Sequence, residues 1–274
     1  MRTEDHPASD TIAIVVVTYN RVHLLRQCVE NVLQRTSDAT REIIVWNNAS
    51  TDGTREYLDS LADPRIQVVH NDKNVGVNAY ALTFPGTTSS FLLELDDDVV
   101  DAPVGWDRAL LDAYKRLPEI GFLEAKLADD GHSTRADLFY RSNAHLYEVA
   151  EVNGVRILDG GPVGGACTIT SRELHDRVGG FRRSKQAFFH EDHAYIDDIR
   201  KLGFRAAILD EIEVAHHGGP YYSELVPEKV EYYKKRDRRR ARKTAVKRAL
   251  LAVPFVRPLN QRYGWFQAPR PAGE

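Results

Sequence analysis

Hydrophobic positions in the first third of the chain alternate between short continuous runs and segments with helical spacing. The continuous runs lie at residues 11–18 (TIAIVVVT), 42–46 (EIIVW), 66–70 (IQVVH) and 90–95 (SFLLEL). Short apolar runs of this kind are typical of buried parallel strands. Between them, residues 22–33 and 54–61 carry apolar side chains at intervals of three or four, which favours helices. This alternation predicts an α/β fold with a mainly parallel sheet covered by helices on both faces.

The second half of the chain predicts further strands and helices at less regular spacing. A hairpin strand is expected over residues 149–158, and short strands are expected at 167–170, 205–209 and 212–215. Helices are predicted over residues 171–178 and 190–202, each followed by glycine, and a glycine-rich loop (GGPVGGA) spans residues 160–166. We divide the chain into a polar tail at residues 1–10, an α/β domain at 11–225 and a basic helical extension at 226–274.

Composition narrows the classes of protein to which the chain could belong. Its 274 residues are 42% hydrophobic and 28% charged, which is ordinary for a soluble globular protein. A net charge of only −3 argues against nucleic acid as a partner. Cys28 and Cys167 lie in apolar surroundings, so buried thiols in a reducing cytoplasm are expected rather than a disulfide. Residues 1–10 are unlike a secretory signal, and no apolar run approaches the roughly 18 residues that span a bilayer.

Three polar clusters come directly after predicted strands. They are Thr18 with Tyr19 and Asn20, the turn at residues 47–52 (NNASTD), and the acidic run at residues 96–98. In a parallel sheet ligands bind outside the carboxyl ends of the strands, so the shared position of these clusters predicts a binding site. Asn20 is also expected to cap the helix that follows it.

The acidic run is the strongest of these signals. At the end of an extended strand, residues two apart point to one side, so Asp96 and Asp98 should share a face while Asp97 points away or begins the turn. Two neighbouring carboxylates repel each other unless a cation lies between them. Mg²⁺ and Mn²⁺ prefer oxygen ligands and also take substrate phosphate oxygens. The run therefore predicts a metal–diphosphate site, against the alternative of a solvated acidic turn.

Other polar motifs each allow a functional and a structural interpretation. Glu191 and Asp192 follow His190 at the start of a predicted helix, where a carboxylate could be a general base or could simply favour the helix N-terminus. His216 and His217 follow a predicted strand; adjacent residues there face opposite sides, so at most one is expected to bind a metal.

The asparagine pair and the glycine-rich loop also allow both a functional and a structural interpretation. Asn47 and Asn48 could pair with a base edge or form a tight turn. Gly165 and Ala166 could bring backbone close to a ligand or serve packing.

Several segments of the chain, in this order, resemble the inverting glycosyltransferase family 2. They are VVVTYNR (15–21), NNASTDGT (47–54), LLELDDDV (92–99), GGACTITSREL (164–174), GGF (179–181), FFHEDHAYIDDIRKLGF (188–204) and VAHHGG (214–219). Together they extend over about residues 11–222. The resemblance implies the GT-A fold, in which a Rossmann-like, mainly parallel sheet lies between helices; here a basic helical C-terminal extension would follow it.

The resemblance also implies a role for each matching position. Residues implied to bind the nucleotide-sugar are Thr18, Tyr19, Asn20, Asn47, Asn48, Asp52, Asp96, Asp97, Gly165 and Ala166. Asp98 would hold the metal together with His216, or with His217 in its place. Asp192 would be the catalytic base, with Glu191 next in line. Asn47 stands where many relatives have an aspartate that pairs with the base, so the identity of the base stays open.

The function implied is transfer of a sugar from a nucleoside-diphosphate sugar to an acceptor hydroxyl on a glycan, a lipid-linked molecule or a small molecule, with Mn²⁺ or Mg²⁺ as cofactor. One alternative is a nucleotidyltransferase that makes the nucleotide-sugar. It would usually carry a glycine-rich phosphate loop where this chain reads TYNRVHLL. The other is a non-catalytic binding relative, against which the intact Asp96, Asp98, Asp192 and His216 argue.

Two further segments carry open interpretations. Residues 229–248 are dense in lysine and arginine. They predict a helix that either lies on the inner face of an anionic membrane, which would suit a lipid-linked acceptor, or binds the acceptor or a second copy. Residues 127–159 are expected to be the variable acceptor region, where His132, Arg135, Arg141 and His145 bind an acceptor or form plain surface.

Overall fold

The computed structural model describes residues 10–129, 140–185 and 190–218, together with short helical stretches between 234 and 250. The chain divides into two compact units, Met1–Tyr222 and Ser223–Glu274. All strands and helices named below belong to the first unit. The predicted role of the basic segment in the second unit stays a prediction. Within the described residues, no helix is both long enough and apolar enough to cross a membrane.

Strands and helices alternate through the first half of the chain, as the hydrophobic pattern predicts. The order is β1 (Ile12–Thr18), α1 (Val22–Arg35), β2 (Thr40–Asn48), α2 (Thr54–Asp59), β3 (Ile66–Asn71), α3 (Asn78–Thr83), β4 (Phe91–Asp96), β5 (Val99–Asp101), α4 (Trp106–Arg116) and β6 (Ile120–Leu127). The predicted elements up to β4 are confirmed with small changes at their ends. The hydrophobic pattern did not predict α3, α4, β5 or β6.

The second half of the unit differs from the prediction in two places. Its elements are β7 (Glu148–Val152), β8 (Val155–Asp159), β9 (Cys167–Ser171), α5 (Arg172–Val178), α6 (Glu191–Lys201) and β10 (Arg205–His216). The expected hairpin strand is a pair of strands, because Asn153 and Gly154 adopt positive φ angles of 51° and 70° and turn the chain sharply. The two short strands expected after residue 204 are one strand, with an irregularity between Leu209 and Glu213.

One sheet organises these strands in the order β3-β2-β1-β4-β9-β6-β10-β8-β7, and β5 pairs with β10 off this path. β1, β2, β3 and β4 pair in parallel, as do β6 and β10. β9 lies antiparallel between β4 and β6, so those two strands also run in the same direction. The expected α/β class, with a mostly parallel central sheet flanked by helices, is confirmed.

Helices cover both faces of the central sheet, which explains why its central strands are mostly apolar. Ile12, Ile14 and Val16 of β1 pack with α1 and α4, whereas Ala13 and Val15 pack on the opposite face. Successive side chains of a strand point to opposite faces, so a strand buried on both sides favours apolar residues on both of them. The expectation of buried thiols is also met, since Cys28 and Cys167 are both free and buried.

A buried histidine lies within the second of these layers. The His175 ring is 5.8 Å from that of Phe84, 5.9 Å from Phe181 and 6.2 Å from Tyr195, measured between centroids. Burial lowers the pKa of His175, although the Asp176 carboxylate, 3.4 Å from Nδ1, acts in the opposite direction. The imidazole is therefore held neutral inside an aromatic cluster.

His175→Gln should make the free energy of unfolding fall less than in wild type when the pH drops into the mildly acidic range. The unfolded chain protonates this imidazole near its usual pKa of about 6.5, whereas the folded chain resists the proton. The neutral His175 ring therefore makes its full contribution to stability above about pH 6.5. That contribution is lost as the pH falls towards the lower pKa of the folded state. Urea unfolding at about pH 7.5 and about pH 5.5 should show a smaller drop for H175Q than for wild type. H145Q, at an exposed histidine, is the control, and an equal drop in H175Q and wild type would contradict the assignment.

Candidate active site

The three predicted polar clusters meet at one edge of the sheet. β2, β1 and β4 are neighbours, and their register places Thr18 beside Asn47 and Val17 beside Asp96. Because all three strands run in parallel, their carboxyl ends open on the same side. The sheet topology thus brings together the clusters that the sequence separates by some thirty to fifty positions.

Hydrogen bonds tie the loops after β1 and β2 to each other. Asn20 adopts a φ of 53°, and its Oδ1 accepts from the backbone N–H of Thr51 at 2.7 Å. Its own backbone N–H donates to Ser50 Oγ at 3.0 Å. The expectation that Asn20 caps α1 is wrong, because its side chain is used in this link. Asp52 Oδ2 instead accepts from the N–H of Val22, 2.9 Å away, at the first turn of α1.

Asn47 and Asn48 are both buried and both have structural partners. Asn47 Oδ1 accepts from the N–H of Ser50 at 2.9 Å, and its Nδ2 lies 3.1 Å from His70 Nδ1. Asn48 Oδ1 accepts from Trp46 Nε1 at 2.9 Å, and its Nδ2 donates to a backbone carbonyl at 3.1 Å. The turn interpretation therefore holds for Asn47, whereas Asn48 links β2 to the segment before α3 through Gly76. The contact of both residues with the nucleotide-sugar stays a prediction.

Asp96 and Asp98 face the same side, as their spacing predicts. His216 Nε2 lies 3.5 Å from Asp96 Oδ2 and 3.1 Å from Asp98 Oδ1. These three ligand atoms lie within 4.8 Å of one another and could hold a metal ion. Two carboxylate oxygens and one imidazole nitrogen suit a divalent ion such as Mn²⁺ or Mg²⁺.

Asp97 begins the turn that follows β4, one of the two placements expected from the sequence. Its side chain is 0% exposed and forms an ion pair with Arg21, which also contacts Asp98. This burial separates Asp97 from Asp96 and Asp98, whose carboxylates face His216. Contact of Asp97 with the nucleotide-sugar stays a prediction.

The structure also distinguishes the two histidines. β5 pairs with β10, which puts His216 opposite Val99 and next to the aspartates. His217 donates its backbone N–H to the Asp98 carbonyl at 2.9 Å, which holds the end of β10 in place. Gly218 lies so close to the His216 ring that an added Cβ would come within 2.2 Å of Cε1. Of the two candidates, His216 is the one whose ring joins the aspartates.

Charge and burial act against each other throughout this cluster. Burial alone would raise the pKa of Asp98, but His216 and Arg21 hold it well below its usual value. Burial alone would lower the pKa of His216, but Asp98 and Asp96 raise it to about 9. For Asp97 burial outweighs Arg21 and raises the pKa to about 7. Asp98 is therefore the fixed anion of the cluster, and a metal bound here would displace a proton from His216.

The glycine-rich loop before β9 lies on two buried glutamates. Glu94 and Glu124 flank Thr168 across neighbouring strands, and both are 2% exposed. Glu124 Oε2 accepts from the N–H of Gly164 at 2.8 Å, while a Cβ on Gly165 would come within 2.7 Å of Glu94 Oε1. The loop then rejoins the aspartates, where the Ala166 carbonyl accepts from the N–H of Asp96 at 2.8 Å.

Sequence reasoning missed Glu94, Glu124 and Arg21, although a signal existed for the first two. Each glutamate interrupts an otherwise apolar strand, in SFLLEL and IGFLEAKL. A charged side chain almost never lies fully inside a sheet unless it has polar partners. Such an interruption therefore marks a buried polar contact, here the backbone of the Gly164–Gly165 loop.

The predicted base lies at the first turn of α6. Glu191 and Asp192 are 8% and 6% exposed, and Asp192 Oδ1 accepts from the N–H of His193 at 2.7 Å. A local helix-terminus role is thus present, and a role as a base stays a prediction. Residues 186–189 lie outside the described residues, as do His132 and Arg135 of the expected acceptor region. Arg141 and His145 are exposed, and Arg141 pairs with Asp129.

Comparison with known proteins identifies the family. The sequence pattern of glycosyl transferase family 2 matches residues 13–179, which is more than half of the chain. The chain therefore belongs to that family. It is 25% identical to the Sinorhizobium fredii protein y4gI over 221 residues, which are 75% of this chain and 24% of that protein. The chain spans about a quarter of the length of the curated relatives that it matches.

Solved structures show the same fold. The mannosyltransferase PcManGT from Pyrobaculum calidifontis, in complex with GDP-Man and Mn²⁺, is similar over 76% of this chain and 57% of its own, with a TM-score of 0.54 and 20% identity. Glucosyl-3-phosphoglycerate synthase from Mycobacterium tuberculosis, with Mn²⁺, UDP and glucosyl-3-phosphoglycerate, is similar over 79% and 75%, with a TM-score of 0.54 and 15% identity. The GT-A fold expected from the sequence is confirmed.

Changing Gly165 to alanine should destabilise the protein by about 1–3 kcal/mol, the usual cost of forcing a methyl group into a packed interior. The new Cβ would meet Glu94 Oε1 at 2.7 Å and Cδ at 2.9 Å, and this carboxylate is buried. Gly86→Ala is the matched control, because its Cβ would meet nothing within 4 Å. Urea unfolding of both variants checks the prediction, and equal stability of the two would show that the loop yields without cost.

Proposed function

We propose that the chain is an inverting glycosyltransferase that moves a sugar from a nucleoside-diphosphate sugar to an acceptor hydroxyl and depends on Mn²⁺ or Mg²⁺. The observation that carries the proposal is the convergence of Asp96, Asp98 and His216 beside the loops that follow β1 and β2. Family membership supports the same reaction class. The GDP-Man and Mn²⁺ bound to PcManGT support a nucleotide-sugar donor and a divalent ion for this chain.

The donor would lie along the edge formed by the ends of β1, β2 and β4. Thr18, Tyr19 and Asn47 lie at the ends of β1 and β2, where the nucleoside would bind, and the Asn20–Asp52 links keep those loops in register. Asp96 is the more exposed of the paired carboxylates, at 33%, and so is the more available to a ribose or a metal. Gly165 would face the sugar. Ala166 would lie beside it, with its carbonyl bonded to the N–H of Asp96.

Asp96, Asp98 and His216 would hold the metal. A bound ion would supply positive charge that stabilises the negative charge developing on the diphosphate as it leaves. Arg21 and the buried Asp97 would lie behind these ligands rather than among them. The role of the protein at this end of the site is to keep two carboxylates and one imidazole turned to the same side.

Asp192 would act as general base, with Glu191 next in line. The Asp192 carboxylate would accept the proton of the acceptor hydroxyl while that oxygen bonds to the anomeric carbon from the face opposite the diphosphate. The bond from the anomeric carbon to the diphosphate breaks in the same displacement, and the configuration inverts. The transition state would resemble an oxocarbenium ion, as in glycoside hydrolysis.

Asp98→Ala should abolish metal-dependent binding of the donor. A screen of nucleotide-sugars by thermal shift, with Mn²⁺ or Mg²⁺, would find the donor, since ligand at a hundred times its Kd adds about 2.7 kcal/mol to stability. The D98A protein should lose this shift, whereas D112A, at an exposed aspartate of α4, should keep it. An unchanged donor shift in D98A would remove the metal role from Asp98.

Asp192→Asn should keep donor binding and lose most turnover. A general base contributes about 10²–10⁴-fold to the rate, and asparagine cannot take the proton. Nucleoside diphosphate released per enzyme per minute is the measurement, and D197N on the exposed side of α6 is the control. Wild-type turnover in D192N would move the base to Glu191 or elsewhere, and retention of the anomeric configuration in the product would contradict inversion.

A further inference from the structure

We propose that Arg21 is a positioning residue that makes Asp98 a single-oxygen metal ligand, by holding its second oxygen permanently. This inference rests on the metal site of the proposed function and adds a residue that the sequence analysis did not assign. Arg21 Nη1 donates to Asp98 Oδ2 at 2.7 Å, while Asp98 Oδ1 lies 3.1 Å from His216 Nε2. The two oxygens of one carboxylate therefore face two different partners.

Burial keeps Asp98 Oδ2 bound to Arg21 and leaves Oδ1 facing His216. Arg21 is 5% exposed, Asp98 is 3% exposed and Asp97 is 0% exposed. Water does not compete with the guanidinium for Oδ2, and charge-assisted hydrogen bonds are about twice as strong as neutral ones. An incoming cation would meet Oδ1, on the side of His216 and Asp96, and would find Oδ2 already engaged.

The chemistry of the contact explains why the residue is an arginine. Nη1 contacts Asp98 and Nη2 contacts Asp97, so one planar group holds two adjacent carboxylates. A guanidinium presents donors in a rigid fork and keeps its charge at any relevant pH, whereas a lysine ammonium is a point charge on a flexible stem. Lysine would preserve the charge and lose the geometry.

The backbone of Arg21 is fixed as firmly as its side chain. Its carbonyl accepts from the N–H groups of Leu24 and Leu25, each at 3.0 Å, so Arg21 is the N-cap residue of α1. The next residue, Val22, donates its N–H to Asp52 in the neighbouring loop. Arg21 thus connects the aspartates at the end of β4 to the two loops proposed to bind the nucleoside.

Positioning and simple charge compensation predict opposite effects. If Arg21 only offset negative charge, its removal would leave a more negative site and strengthen cation binding. If Arg21 fixes Asp98, its removal weakens cation binding even though the site becomes more negative. Arg21→Lys separates the two explanations, because it keeps the charge and removes the fork.

The test measures Mn²⁺ binding to the full chain by electron paramagnetic resonance, without donor or acceptor. We expect R21K to bind Mn²⁺ about tenfold or more weakly than wild type, the range seen when a partner of a metal ligand is changed. R21Q should also bind more weakly. The matched control is R41K, at an exposed arginine of β2, which should bind as wild type does. Wild-type affinity in R21K, or tighter binding in R21Q, would overturn the proposal.

A second measurement needs no variant and so does not depend on whether R21K folds. Infrared difference spectra of wild-type protein labelled with ¹³C-aspartate, taken on adding Mn²⁺, should show carboxylate bands of single-oxygen coordination. Bands of two-oxygen coordination alone would overturn the proposal.

Mn²⁺ binding to D98A separates a failure of the Arg21 role from a failure of the metal site itself. If wild type binds Mn²⁺, D98A does not and R21K binds normally, only the role of Arg21 is wrong. If wild type and D98A bind equally, or neither binds, the metal site fails as well.

Discussion

The structure depends on compensating three consecutive carboxylates at the end of a single buried strand. Two like charges 4 Å apart repel by about 4 kcal/mol at an effective dielectric constant of about 20, and the Asp97 and Asp98 side chains are almost fully buried. Removing one partner from such a cluster would leave an uncompensated buried charge, which is strongly destabilising. Arg21 on one side and His216 on the other supply the positive charge.

The topology of the sheet brings one positively charged side chain to the aspartates from each side of β4. β1 lies next to β4, so the turn that leaves β1 carries Arg21 beneath the aspartates. β10 reaches the same place from the far side of β9 and β6, and its pairing with β5 places His216 opposite Val99. Arg21, from the turn after the first strand, and His216, from the last strand in the chain, thus meet at the end of β4. An error in either pairing would remove one of the two cations that compensate the acidic run.

Local periodicity predicts most of the strands and helices, although α3, α4, β5 and β6 were not predicted. The two-residue spacing also predicts that Asp96 and Asp98 share a side, and both carboxylates face His216 although Asp98 lies in the turn after β4. Asn20 shows where local reasoning fails. Its residue type fits a helix cap, yet a neighbouring loop offers Thr51 N–H, and the cap at Val22 comes from Asp52. Arg21 and the choice of His216 depend on contacts between segments far apart in sequence, which composition and spacing do not contain.

A buried tyrosine lies behind the aspartate end of the site. Tyr80 is 2% exposed, and its hydroxyl lies 3.5 Å from the Leu95 carbonyl, next to Asp96. Burial raises the pKa of Tyr80 well above its usual value, and the charges of Glu94, Asp96 and Glu191 raise it further. The phenol therefore stays protonated and acts as a neutral donor among several acids. A neutral phenol at this position satisfies the Leu95 carbonyl at the end of β4 without adding charge beside the aspartates, so the burial of the strand end does not require a further cation there.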